Sequence, residues 1–238
     1  MGIQTFLIVC PLVFLAGFVD AIAGGGGLIS LPAYMFAGVP VHNAIATNKL
    51  SSATGTAVST WHLVKSKCVD ICLVPGTVAC AFVGSIAGAN LALIISDKVL
   101  KTVLVFVLPV VAFCVLRDKD LKPVIPEGFT RKKQYLIMAA CSFVIGIYDG
   151  FYGPGTGTFL IIAFTVFAHL NIQTANAQAK VINLTTNLTA LAIFLYNGQG
   201  VLSLGLASAA CNMLGGYIGA GLVMKNGSKI ARPSIVFV

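Results

Sequence analysis

Charge is what this chain has least of. Only 9% of its 238 residues are charged, seven acids against fifteen Lys and Arg, where a soluble domain carries about 25%. Mean hydropathy is +0.96. An ordinary soluble surface is excluded. Histidine is scarce too. His42, His62 and His169 have no metal-ligand spacing and no evident acid or cysteine partner, so no metal is expected. His62, beside Trp61, suits an interfacial belt. The seven cysteines form no CxxC pair and read as small buried hydrophobes. GxSxG, HExxH and Walker sequences are missing. The serines and threonines near the glycine-rich stretches have no base beside them. Neither an enzyme nor a cofactor is expected. The net charge of +8 does not point to nucleic acid, because the bases sit in short loops between apolar segments, where the positive-inside rule puts them.

What is present is apolar sequence in long runs, near 3–23, 25–37, 44–64, 71–95, 99–116, 135–152, 155–169, 175–196, 201–223 and from 230 onward. A bilayer crossing takes about 20 such residues. The expected fold class is therefore all-α, a polytopic helical membrane protein in contact with lipid. Residues 5–18 followed by Ala21-Ile22-Ala23 imitate a signal peptide. No Lys or Arg precedes them, and they have a counterpart at 146–152, so they are expected to remain in the mature protein.

One device occurs twice. Gly17-Phe-Val-Asp20 runs into Gly24, Gly25, Gly26 and Gly27; Gly146-Ile-Tyr-Asp149 runs into Gly153, Pro154, Gly155, Thr156 and Gly157. Each places an aspartate and a helix break inside an apolar run, both costly in lipid. Two further landmarks follow in the same order. Ala44-x-Ala46-x-x-Lys49 matches Ala175-x-Ala177-x-x-Lys180, and Gly84-x3-Gly88-Ala89 matches Gly215-x3-Gly219-Ala220. The chain is expected to be two internally repeated halves, 1–116 and 134–238, joined by a polar linker, 117–133, in the cytoplasm. Pro123 and Pro126 prevent one continuous helix there.

Crossing parity decides the relation of the halves. If each broken segment folds back as a re-entrant hairpin or crosses twice, the copies are inverted; if it crosses once, they are parallel. The inverted arrangement puts eleven basic residues inside, with Lys65, Lys67, Lys225, Lys229 and Arg232 joining the linker, and leaves Lys98 and Lys101 outside. The parallel arrangement divides them eight to five, so inverted repeats are expected.

The site is expected where the repeats meet. Gly24, Gly25, Gly26 and Gly27 in one copy and Gly153, Gly155, Thr156 and Gly157 in the other free backbone N–H groups at helix N-termini, which suits an anion. The alternative is close packing through small residues, the reading given to Gly84/Gly88 and Gly215/Gly219. Lys49 with Asn48 and Ser52, and Lys180 with Gln178, Asn183 and Asn187, put polar groups on matching helices. Either lysine could contact an anion, pair with the aspartate of its own half or of the other, or snorkel to the interface. Asp20 and Asp149 could couple transport to protons, hold the lysines, or cap backbone N–H groups at the breaks. These features predict a secondary transporter with a small anionic substrate; the alternative is an anion channel.

The motifs Gly17-Phe-Val-Asp20-x3-Gly24-Gly-Gly-Gly27, Ala46-Thr-Asn-Lys49-Leu, Val69-Asp70 after a basic loop, and Gly84-x3-Gly88-Ala-x-Leu91 resemble the TauE/SafE sulfite exporter family. The second copy, Tyr148-Asp-Gly-Phe-Tyr-Gly-Pro-Gly-Thr-Gly157 with Ala179-Lys-Val-Ile-Asn183, is similar to a bacterial subgroup of it. The resemblance implies a multi-pass protein of the bacterial inner membrane that exports small sulfur-containing or organic anions, of the sulfite and sulfonate class. The family often has Gly-Thr-Ser where this chain reads Ala46-Thr47-Asn48-Lys49, and Ala-Thr-Ser where it reads Ala177-Gln178-Ala179-Lys180. The two lysines are therefore expected to bear on substrate or coupling.

Overall fold

The computed structural model describes residues 2–117, 126 and 128–226. Its described residues fold as helices: α1 Ile3–Ala23, α2 Gly27–Phe36, α3 Val41–Lys65, α4 Val74–Ile94, α5 Asp97–Arg117, α6 Arg131–Phe151, α7 Thr156–Val166, α8 Ile172–Tyr196 and α9 Leu202–Asn226. A short 3-10 turn, Ile71–Leu73, leads into α4. The apolar runs coincide with these helices to within a few residues. The run from 230 onward, most of the linker, and the side chain of Lys225 with Lys229 and Arg232 lie outside the described residues.

Among the described residues, four stretches are long and apolar enough to cross a membrane: Ile3–Ile22, Ile71–Ile94, Arg131–Phe151 and Ile172–Tyr196. The stretch resembling a signal peptide is the body of α1. Its Val9, Val13 and Ala16 are buried, and it packs along α9. Helix α3 is not among the four. It buries Thr47, Asn48, Lys49, Ser51, Thr56, Ser59 and Thr60 between α8, α9 and α2. Polar side chains are tolerated there because protein, not lipid, surrounds them. Large apolar side chains such as Leu7, Phe106, Leu136, Leu188 and Leu214 are exposed on the outside, as a lipid-facing surface requires.

Contacts at the helix ends define two faces of the bundle. On one, His42 at the start of α3 meets Asp97 and donates to the Ala92 carbonyl at the end of α4. The N–H groups of Gly200 and Val201, before α9, donate to Asn43 and Thr47. On the other face, Arg131 at the start of α6 pairs with Asp70 at 2.5 Å. There Gln134 also donates to the Ala168 carbonyl after α7, and Gln173 at the start of α8 reaches Cys68.

These contacts show how each broken segment runs. Helix α7 ends beside the start of α6, so α6 and α7 form a hairpin that returns to its own face. Helices α1 and α2 do the same from the opposite face, with Phe6 and Val9 packed in one cluster with Met35 and Val39. One apolar cluster, around Val9, Leu31, Tyr34, Ile45, Phe194 and Leu204, fills the bundle near the first face. A second, around Met138, Leu160, Phe164, Ala175 and Ile182, fills it near the other. Most of the candidate polar residues fall between the two.

Small residues set the helix spacing. A Cβ on Gly84 or Gly88 would stand 2.3 Å from the Phe143 carbonyl oxygen or 2.0 Å from that of Ile147, so α4 touches the backbone of α6. Gly215 and Gly219 bring α9 equally close to the carbonyls of Phe14 and Phe18 in α1. Their reading as packing glycines agrees with this geometry.

Candidate functional site

Helix α1 stops at Gly24, which takes φ 83° and donates its N–H to the Asp20 carbonyl. Helix α7 starts after Gly153 (φ 100°) and Gly155 (φ 79°). Those left-handed conformations favour glycine. The two turns lie against each other. A Cβ on Gly24 would fall 2.5 Å from the Gly157 carbonyl carbon, one on Gly157 would fall 2.6 Å from the Gly24 Cα, and one on Gly27 would fall 2.9 Å from the Pro154 Cα. The hairpins entering from opposite faces thus meet tip to tip.

Both lysines turn inward here. Each lies eight residues into its helix, about 12 Å of rise, and both are almost fully buried. Lys49 reaches across to Asp149, with Nζ 3.0 Å from Oδ1, and donates to the Asp149 carbonyl at 2.5 Å. Lys180 reaches across to Asp20, 2.7 Å from Oδ2, and donates to the Asp20 carbonyl. Snorkelling is thereby excluded for both. Of the two pairings left open by the sequence, the crossed one is formed: each lysine holds the aspartate beside the other break. Oδ1 of Asp149 accepts from Lys49 and from the Thr156 hydroxyl at 2.7 Å, because that hydroxyl points back from the first turn of α7. Among the described residues, Oδ2 of Asp149 is buried with no hydrogen-bond partner.

A small cavity separates the pairs. Its walls include Asp20, Lys49 and Asp149, the glycines Gly24, Gly27, Gly153 and Gly157, and the polar side chains Asn48, Ser52, Asn183 and Asn187. Its volume open to water centres is about 20 Å³, enough for one water molecule, which needs roughly 10–15 Å³. Asn48 is oriented by the Ser30 hydroxyl, which donates to its Oδ1 at 2.6 Å. Asn187 is held by the Asn183 side-chain and main-chain oxygens at 2.9 and 2.8 Å.

The remaining sequence-expected residues stand outside this wall. Gly26 lets α2 approach α1, where a Cβ would meet the Ala16 carbonyl at 2.4 Å. Gly25 and Gly155 belong to the turns. Thr156 steadies Asp149, and Lys180 contributes through Asp20. Gln178 is displaced altogether. It donates to the Asp70 carbonyl at 2.7 Å, because two residues turn a helix by about 200° and direct it away from the Lys180 face. Ser30 was not anticipated. Its signal was a lone serine one turn into α2, indistinguishable in sequence from a packing residue.

The histidines stay clear of the site. His42 does have an acid partner, Asp97, contrary to expectation, because the α4–α5 turn folds back onto the start of α3. His62 lies edge-on to Tyr217 and His169 edge-on to Phe129. Among the described residues no group of three metal-ligating side chains occurs.

Comparison with known proteins gives a family and named relatives. Residues 9–238 match the family described as Sulfite exporter TauE/SafE. The chain is 36% identical over 229 residues to the probable membrane transporter protein YfcA of Escherichia coli K12, covering 94% of this chain and 82% of that one. It is 34% identical over 239 residues to a probable membrane transporter protein of Haemophilus influenzae, covering 100% and 92%. A third relative, from Sinorhizobium, is 33% identical over 225 residues and is also described as a probable membrane transporter protein. No solved structure matches.

Proposed function

This chain belongs to the TauE/SafE family and is a multi-pass membrane transporter of the bacterial inner membrane, and from that premise we propose that it is a secondary transporter that exports a small sulfur-containing or organic anion. The carrying observation is one cavity where two glycine turns meet, lined by the buried Lys49 and by Asp20, behind which the buried Lys180 is paired. Buried cations beside glycine turns would offer an anion charged contacts and backbone N–H groups from the first turns of α2 and α7. The proposed binding groups are Lys49, Lys180, Asn48, Ser52, Asn183 and Asn187, with the turn glycines.

The halves 1–116 and 134–238 are proposed to be inverted repeats. Their hairpins enter from opposite faces, and their lysines lie at equal depth on α3 and α8. Rocking of one half against the other would alternate access to a site between them. A cavity with room for one water supports a closed carrier over a channel, which needs a continuous polar path. Anion binding must come with an opening of the hairpin tips.

Thermal unfolding of the purified protein against sulfite, thiosulfate, sulfoacetate, taurine and simple carboxylates tests the reading. A bound anion stabilises the fold in proportion to its occupancy. The expected outcome is a shift confined to one anion class, with saturable flux of that anion in proteoliposomes. A flat panel, or single-channel current steps, would overturn it.

A further inference from the structure

We propose that each lysine–aspartate pair is an exchange site, in which the incoming anion takes the lysine and the aspartate it displaces takes up a proton, so that one anion moves with one proton. The inference rests on the reading of the cavity as the substrate site.

The argument is one of charge. Lys49 with Asp149, and Lys180 with Asp20, make the closed cavity neutral. An anion entering it would leave a net negative charge away from water, and an uncompensated buried charge is expensive. Among the described residues, no unpaired Lys or Arg lines the cavity to absorb it. The charged and titratable side chains on the helices packed around the pairs are few. Beyond the four paired groups, α6 contributes Cys141 and Tyr148, with Arg131, Lys132, Lys133 and Tyr135 at its start; the turn after it contributes Tyr152, α2 Tyr34, α4 Cys80, α1 Cys10, α8 Tyr196 at its end, and α9 Cys211 and Tyr217, with Lys225 at its end. The remaining charged or imidazole groups of α3 (His42, His62 and Lys65) sit toward its ends, and α7 has no titratable residue. The groups placed to restore neutrality are the displaced carboxylates.

Geometry prepares the step at Asp149. Its Oδ2 is unpartnered and buried, on a residue that lines a cavity with room for one water. A proton taken up at Oδ2 therefore breaks no existing hydrogen bond. The Thr156 hydroxyl at 2.7 Å from Oδ1 keeps a partner for the carboxyl once Lys49 has moved to the anion. Asp20, with about 17% of its side chain exposed, is the less enclosed of the two. Coupling of this kind makes transport of a monoanion electroneutral. The membrane potential then does no work on the anion, and direction follows the combined anion and proton gradients.

Calorimetric titration with sulfoacetate and with methanesulfonate, a permanent monoanion, in two buffers of different ionisation enthalpy counts the protons taken up per anion. The expected result for methanesulfonate on the wild-type protein is uptake of about one proton, and affinity falling up to tenfold per pH unit as pH rises, since the complex binds more protons than the free protein. In D20N/D149N, whose amides cannot hold a negative charge, binding is expected to persist with no proton uptake and no pH slope. Wild-type binding with unchanged affinity between pH 6 and 8 and no proton uptake would overturn this inference while leaving the substrate site standing. No binding of either anion would remove both. The wild-type measurement decides the matter even if the double variant does not fold.

Discussion

Lys49 and Asp149 are each almost fully buried and depend on each other for charge. Removing one partner of such a pair leaves the other uncompensated, at a cost of about 3–5 kcal/mol. Lys49→Met is therefore expected to lower thermal stability in detergent by that amount. K49M/D149N, which removes both charges and nearly conserves volume, is expected to recover most of it. Equal losses in the single and double variants would show that the lysine's contribution is packing rather than pairing. Gly153 makes the pair possible. Its Cβ would stand 2.8 Å from the Lys49 Nζ and 2.9 Å from the Asp149 Oδ1, at φ 100°. G153A is expected to destabilise by about 1–3 kcal/mol and to abolish anion-induced stabilisation. The sequence made the lysines and aspartates candidates because charge is rare in these runs. Their crossed pairing could not be read there, since 100 and 160 residues separate the partners.

Elements are placed by where their carbonyls touch their neighbours' glycines. With α4 only a Cβ's breadth from α6 at Gly88, G88V forces backbone apart rather than a rotamer. Overpacking of this kind costs about 1–3 kcal/mol, and the loss is expected as lowered thermal stability with G84A/G88A also destabilised. Substitution at the exposed Gly38, where a Cβ meets nothing within 4 Å, tests its left-handed φ of 80° alone. Helix limits were legible because apolar runs and their polar or glycine breaks coincide with helix ends. The face each helix turns inward was not, since a run surrounded by lipid and protein is apolar all round. Gln178 is the example: its proximity to Lys180 in sequence suggested the site, and the helical turn sent it to the Asp70 loop.

At the scale of the whole molecule, the two faces of the bundle must correspond to the two sides of the membrane. Lys65, Lys67, Arg131, Lys132 and Lys133 gather on the face with Asp70, and the positive-inside rule assigns that face to the cytoplasm. In a cysteine-free variant, a cysteine at Gln199 is expected to react with a membrane-impermeant maleimide in intact cells. A cysteine restored at position 72 is expected to react only after permeabilisation. The reverse pattern would invert the assignment, and labelling of both from one side would contradict the hairpins.

The sequence by itself determined the solvent this protein folds in, the limits of its helices and the identity of its rare buried charges. Each of these follows from local composition, because lipid penalises every polar group and every break that lacks a reason. Tertiary structure alone decided that the two glycine turns touch, that each lysine serves the opposite aspartate, and that the space between them admits one water. Those facts depend on how hairpins from opposite faces dock, through contacts between residues a hundred or more positions apart. No local pattern carries that information.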